Sequence, residues 1–156
     1  VLCYIFQVKD RHNANIMYDD DGHLIHIDFG FIFDISPGGN FKFEKAPFKL
    51  TQEMIDVMGG SKEAPAFKEF FRLFVQCFFA VRSCHSTIES IADLMRGAGL
   101  PCFRTNSIKN LRDRFFLDLN PKDVVKRLDA LVDDAMGAVS TGIYDAFQHM
   151  QNRIIY

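Results

Sequence analysis

No run in this chain approaches the roughly 18 consecutive apolar residues of a bilayer-spanning helix, which excludes a single-helix membrane anchor of ordinary length. Neither sign of charge is in excess: 18 Lys and Arg stand against 20 Asp and Glu, for a net charge of −2. That balance excludes the polybasic signature of a nucleic-acid binder, and no nucleic-acid partner is expected. The four cysteines, Cys3, Cys77, Cys84 and Cys102, include no CxxC pair. The spacing argues against a zinc site or disulfide framework and predicts buried free thiols in a reducing compartment. Internal repeats and low-complexity tracts are absent too. What is present is enough apolar sequence, 48% of 156 residues, for one domain with a sizeable core.

The opening "VLCYIFQV" reads as the end of a helix or buried strand already under way, so the chain is expected to be a piece of a longer protein. Ile16 to Tyr18 and His23 to Ile27 are short β-prone runs around "DDDG", whose Asp-Gly pair signals a tight hairpin. "DISPGGNFKFEKAPF" then reads as a loop long enough to be functional. From Thr51 onward the text is helical. Thr51 caps a short helix ending at Gly59-Gly60, and Pro65 suits the first turn of the next. Phe67, Phe70, Phe71, Phe74, Val75, Phe78 and Phe79 recur at helical spacing and predict a core-facing stripe rather than a lipid surface. Ile88, Ile91, Ala92, Met95 and Ala98 mark another helix. A short one holds Ile108, Leu111 and Phe115. Asn120-Pro121 opens a helix with Val124, Val125, Leu128, Leu131, Val132 and Met136 inward, and a last helix runs from about Ser140 to Met150. The fold class expected is α+β, mainly helical: a small β-hairpin followed by a helical bundle.

The chemistry gathers in residues 9–31, "KDRHNANIMYDDDGHLIHIDFGF". Asp10 precedes Asn15 by five positions, and Asp28 follows in Asp-Phe-Gly. The protein-kinase catalytic loop has the same acid-to-amide spacing ahead of its own Asp-Phe-Gly. Phosphoryl transfer needs a group that orients or deprotonates the attacking hydroxyl, and hard oxygen ligands for the cations that neutralise the phosphates. The hairpin is the expected mount, with Asn15 at its entrance, Asp28 at its exit and Gly30 freeing the backbone for the turn into the long loop.

"DRHNANIM" followed by "HIDFG" resembles the phosphatidylinositol 3- and 4-kinase family. "SPGGNFKFEKAPFKLTQEMIDVMGG", "GLPCFR" and "YDAFQHMQNRIIY" narrow the resemblance to the type III phosphatidylinositol 4-kinases, most of all their alpha, plasma-membrane branch. It covers nearly the whole chain. One position departs from the family pattern: Ala14 stands where a glycine separates the two asparagines. The resemblance implies a kinase C-terminal lobe in three parts: a catalytic loop over residues 9–16, the Asp-Phe-Gly and activation loop over 28–50, and a helical region over 51–156. It implies ATP and Mg²⁺ as cofactors and transfer of the γ-phosphate to the inositol 4-hydroxyl of phosphatidylinositol. Asp10 and His12 fall on the catalytic acid and histidine, Asn15 and Asp28 on the Mg²⁺ ligands. Either Asp10 or His12 could be the base, since histidine has the better unperturbed pKa and Asp10 matches the protein-kinase position.

No Gly-rich phosphate loop precedes Asp10, so the N-lobe and upstream helical regions are expected elsewhere in a parent protein. The chain alone is expected to be inactive and to expose apolar residues near Val1 to Phe6. Lys42, Lys45 and Lys49, sparse among Phe41, Phe43 and Phe48, suit a headgroup carrying only its bridging phosphate; ordinary loop charges are the plainer reading. His23 reads as a solvated turn residue, His26 as a hydrogen-bonded support, and Asp19, Asp20 and Asp21 as solvated turn acids. Arg11 is expected to pair locally with an acidic side chain. Ile143, Phe147, Met150 and Ile154 form a stripe that either packs on the domain or touches the membrane. The expected location is cytoplasmic, peripheral at membranes. The alternatives are a phosphatidylinositol 3-kinase, a related Ser/Thr protein kinase, or a catalytically silent interaction module.

Overall fold

The computed structural model describes residues 1–37 and 46–137. A short helix, α1 (Leu2–Phe6), leads into a 3₁₀ turn at Asn13–Asn15 and the strands β1 (Ile16–Tyr18) and β2 (Leu24–His26). Five helices follow: α2 (Gln52–Val57), α3 (Pro65–Ser83), α4 (His85–Arg96), α5 (Ser107–Asp113) and α6 (Pro121–Met136). The fold is mainly helical with one small hairpin, as the sequence indicates. The expected last helix, with Ile143, Phe147, Met150 and Ile154, lies outside the described residues, as do Lys42 and Lys45.

Helix starts follow local chemistry. Thr51 Oγ1 accepts from the Met54 amide, and Asn120 Oδ1 accepts from the Asp123 amide at 3.1 Å, each satisfying an orphan donor of a first turn. Pro65 and Pro121 occupy first-turn positions that need no N–H. Gly59 has φ +102°, and a Cβ there would lie 2.6 Å from that of Ala64, so the α2–α3 turn requires glycine twice over.

Phe67, Phe74 and Phe78 of α3 are buried against Leu111, Phe115, Val124, Leu128 and Val132, with Phe70, Phe71, Val75 and Phe79 packed around them. The phenylalanine stripe is core. Helix α4 differs from expectation: Ile88 and Ala92 face inward, but Ile91 and Met95 are exposed and Ala98 lies beyond the helix end. The four thiols are free, yet only Cys102 is buried, whereas Cys77 and Cys84 are exposed.

Two polar anchors fasten α5 to the N-terminal part of the chain. Asp34 accepts from Ser107 Oγ and from Asn110 Nδ2 at 3.1 Å, which ties residues 33–36 to α5. Arg114 Nε donates to the Ile5 carbonyl at 2.7 Å, joining the end of α5 to α1. Tyr4 and Ile5 are buried in the apolar core. The apolar exposure expected near Val1 to Phe6 is therefore confined to Leu2 there. It falls instead on the hairpin, at Met17, Tyr18, Leu24, Ile25 and Ile27, and at Phe29 beyond it.

Candidate functional site

The hairpin pairs Ile16 with His26, Met17 with Ile25 and Tyr18 with Leu24. One further bond, from the Ile27 amide to the Asn15 carbonyl at 3.1 Å, extends the ladder to its open end. This brings the end of residues 9–16 beside the residue preceding Asp28. Asp19 builds the closed end: its carboxylate accepts from the Asp21 amide, the His23 amide at 2.7 Å and His23 Nδ1 at 2.8 Å. Those bonds hold the Asp19 carboxylate below its usual pKa. Asp19, Asp21 and His23 lie close enough to resemble a metal cluster, but all three are exposed and the turn itself accounts for their proximity.

Arg11 organises the open end. It is buried, 2% accessible, and among the described residues bonds no carboxylate; its guanidinium grips four backbone carbonyls. Nε donates to Lys9 O at 2.9 Å, Nη1 to Ile27 O at 2.7 Å and to Asn15 O at 3.4 Å, and Nη2 to Asp28 O. The Phe29 ring covers the same cation, its centroid 5.7 Å from Cζ. The expectation of a local acidic partner for Arg11 is thus corrected. The fork fastens the catalytic loop to the backbone of both expected metal ligands, which an ammonium could not do with four acceptors at once.

Asp10 and Asp28 hold left-handed backbone conformations, with φ of 66° and 56°. For a non-glycine residue each costs about 1–3 kcal/mol and persists only where surrounding bonds enforce it. Here the Arg11 bonds to Lys9 and Asp28 flank both positions. Gly30 serves differently from expectation. The strained turn is taken by Asp28, while the Gly30 amide donates to Asp28 Oδ1 at 3.0 Å and its missing side chain leaves room for that carboxylate. Ala14 is absorbed without a positive φ.

Asn15 is buried, and its Nδ2 donates to the Asp10 carbonyl at 3.0 Å and reaches Asp10 Oδ2 at 3.5 Å. Committing the amide nitrogen leaves Oδ1 as the group's acceptor. Asp28 is exposed and presents a carboxylate. An amide oxygen and a carboxylate are the hard donors that suit Mg²⁺. His12 is buried, with Nε2 3.9 Å from Asp10 Oδ1, so the two candidate bases lie side by side. Lys49 donates to Asn13 Oδ1 at 2.7 Å, joining the segment before α2 to the 3₁₀ turn. His26 Nε2 lies 3.5 Å from Cys3 Sγ, a support contact between hairpin and α1, and burial lowers its pKa.

The family model for phosphatidylinositol 3- and 4-kinase matches residues 1–105. The chain belongs to that family. Phosphatidylinositol 4-kinase STT4 of Saccharomyces cerevisiae is 47% identical across 100% of this chain, which spans 8% of the yeast protein. The Schizosaccharomyces pombe phosphatidylinositol 4-kinase stt4 is 46% identical, with the same coverage of 100% and 8%. Phosphatidylinositol 4-kinase beta of Danio rerio is 42% identical over 99% of the chain and 19% of its own length. As a phosphatidylinositol 3- and 4-kinase family member, the chain thus spans less than a fifth of these relatives. Arg11 is the site residue that sequence reasoning misplaced. Its one signal is a long cation between two site side chains, in a stretch too short to have a hydrogen-bond ladder of its own.

Proposed function

We propose that the longer protein carrying this chain is a phosphatidylinositol 4-kinase, and that residues 1–156 form part of the C-terminal lobe of its catalytic domain. It transfers the γ-phosphate of ATP to the 4-hydroxyl of phosphatidylinositol in a membrane. The observation that carries this reading is the Arg11 fork, which gathers the Asp10 loop, Asn15 and Asp28 around one buried cation. The names of the relatives supply the substrate class.

One of Asp10 and His12 receives the hydroxyl proton as base, and the other orients the hydroxyl or the base. Asn15 and Asp28 hold Mg²⁺, which when bound with ATP neutralises charge on the phosphates. Asn15, Met17, Ile25 and Ile27 share one face of the hairpin by its register, and the last three are exposed. An apolar face beside the acids suits cover by a nucleotide base and an N-lobe. Lys42, Lys45 and Lys49 bring the long loop to the lipid, with Lys49 anchored to the catalytic loop through Asn13. Among the described residues no helix is long and apolar enough to cross a membrane. The proposal places the enzyme in the cytoplasm, peripheral at the membrane.

The test is lipid phosphorylation by the full-length protein on phosphatidylinositol vesicles. Asp28→Ala removes an exposed side chain that, among the described residues, accepts one hydrogen bond, from the Gly30 amide, so the fold is retained and turnover is lost. Retained turnover removes Asp28 from the site.

A further inference from the structure

The 3₁₀ turn Asn13–Asn15 carries the proposed Mg²⁺ ligand Asn15, and three residues of this geometry make poor internal bonds. Its N-cap, His12, makes no side-chain capping bond, and Ala14 brings no polar side chain. Two cations hold the turn. Arg11 Nη1 donates to the Asn15 carbonyl at 3.4 Å, and Lys49 Nζ donates to Asn13 Oδ1 at 2.7 Å from 36 positions along the chain. Both bonds are charge-assisted, and the second is the shorter. Lys49 stands on a fixed support. Ala46 and Leu50 are buried, Phe48 packs on Phe74 of α3 with ring centroids 5.4 Å apart, and Thr51 caps α2. Lys49 itself lines an apolar cavity beside Ile16, Phe48 and Leu50, so its stem can lie on apolar surface while the ammonium reaches a polar acceptor. Asn13 is exposed, and packing does not fix its side chain.

We infer that Lys49 is a positioning residue: through Asn13 it steadies the turn so that Asn15 Oδ1 stays aimed at the metal, rather than reading the lipid headgroup. The Asn15 amide is oriented by its own bond from Nδ2 to the Asp10 carbonyl at 3.0 Å, but its backbone goes where the turn goes. One hold at the Asn15 carbonyl leaves a three-residue turn free to pivot, and a pivot carries Oδ1 away from the ion. A second hold at Asn13, two residues earlier, removes that freedom. The sequence reads Lys49 as one more loop charge; the bond to Asn13 gives it a definite use. The inference rests on the kinase reading for its choice of Mg²⁺ at Asn15. The bond itself does not.

The experiment uses the full-length protein and Mn²⁺ as a paramagnetic stand-in for Mg²⁺. Mn²⁺ binding in the presence of a non-hydrolysable ATP analogue is followed by electron paramagnetic resonance, separately from turnover on phosphatidylinositol in mixed micelles. Lys49→Met and Asn13→Ala each weaken Mn²⁺ binding about tenfold and lower kcat by a similar factor, while KM for phosphatidylinositol holds. The double variant falls no further than either single one, since both remove the same bond. Lys49→Arg keeps a donor and retains most of the binding. Asn13 is exposed, so Asn13→Ala unfolds at the ordinary temperature and reports on the site alone. Unchanged Mn²⁺ binding in the single variants overturns the inference, as do additive losses in the double variant. A raised lipid KM with metal binding intact overturns it too and makes Lys49 a headgroup contact. A protein whose Mn²⁺ binding depends on Lys49 and Asn13 but which phosphorylates no lipid refutes the lipid-kinase reading and keeps the positioning role. A protein that binds no Mn²⁺ with the nucleotide overturns both.

Discussion

Two arginines in this fold, Arg11 buried and Arg82 half-buried, make the same kind of bond and offer a controlled comparison. Arg11 grips the carbonyls of Lys9, Asn15, Ile27 and Asp28. Arg82 grips those of Phe115, Phe116, Leu117 and Leu119, at 2.9 to 3.4 Å, between α5 and α6. Lysine at either position keeps the charge but gives up the planar fork and satisfies fewer of the four carbonyls. Losing two such bonds at part-buried acceptors costs about 2–3 kcal/mol. Both variants therefore lower the unfolding temperature of this lobe by a similar amount, about 5–10 °C. Their effects on turnover diverge. Arg11→Lys releases the backbone clamp on Asp10 and Asp28, and a shift of about 1 Å in a catalytic group costs on the order of 10²-fold in rate. Arg82→Lys leaves the site intact and kcat within about twofold, since its loss falls on an inter-helix loop. The assay is kcat of the full-length protein on phosphatidylinositol at saturating ATP, with a Mg²⁺ titration and thermal unfolding run alongside. Arg11→Lys also needs more Mg²⁺ for half-maximal activity. Equal losses of rate in the two variants, or an Arg11→Lys protein with ordinary kcat, would refute the positioning argument.

Further outcomes follow from the same geometry. A Cβ on Gly30 would sit 3.2 Å from Asp28 Oδ1, so Gly30→Ala displaces that carboxylate and lowers turnover while the unfolding temperature scarcely moves; loss of both together assigns Gly30 to folding instead. The pKa of His26 is lowered in the fold from 6.5, first by burial and then by the Arg11 charge, so the unfolded chain binds the proton more readily. Stability from this group is complete above pH 6.5 and declines as pH falls from there toward the lower folded pKa; thermal unfolding between pH 7.5 and 5 shows that decline, and His26→Gln flattens it. Gly59→Ala, with a Cβ 2.6 Å from that of Ala64 at φ +102°, costs more than the 1 kcal/mol typical of an ordinary substitution, read as a fall in chemical-denaturation midpoint with kcat preserved.

Helices α3 and α6 were legible because their apolar spacing is long and their first turns carry proline signals that need no tertiary context. Helix α4 was legible as a helix but not as to which residues it buries. It packs on α3 and α5, and Ile88 and Ala92 suffice for that contact, leaving Ile91 and Met95 in solvent. Apolar character permits burial without requiring it. At the site, the spacing of Asp10, Asn15 and Asp28 was readable because five residues form a tight loop and the hairpin returns the chain to it. The left-handed backbones of Asp10 and Asp28 were not, since local preference gives such turns to glycine and Gly30 was at hand. What overrides that preference is a set of bonds from Arg11 to carbonyls 16 and 17 residues away, and acceptors on the main chain leave no mark in side-chain sequence.

In the proposed function, the Asp10, Asn15 and Asp28 constellation transfers phosphate to one hydroxyl of a membrane inositol lipid. The direct measurement incubates the full-length protein with phosphatidylinositol vesicles and γ-labelled ATP, deacylates the product and identifies the labelled ring position by chromatography. Label is expected on the 4-hydroxyl, abolished in Asp10→Ala and Asp28→Ala proteins that unfold at the ordinary temperature. Label on the 3-hydroxyl, label on protein alone, or 4-phosphate still formed by the Asp28→Ala protein would contradict it.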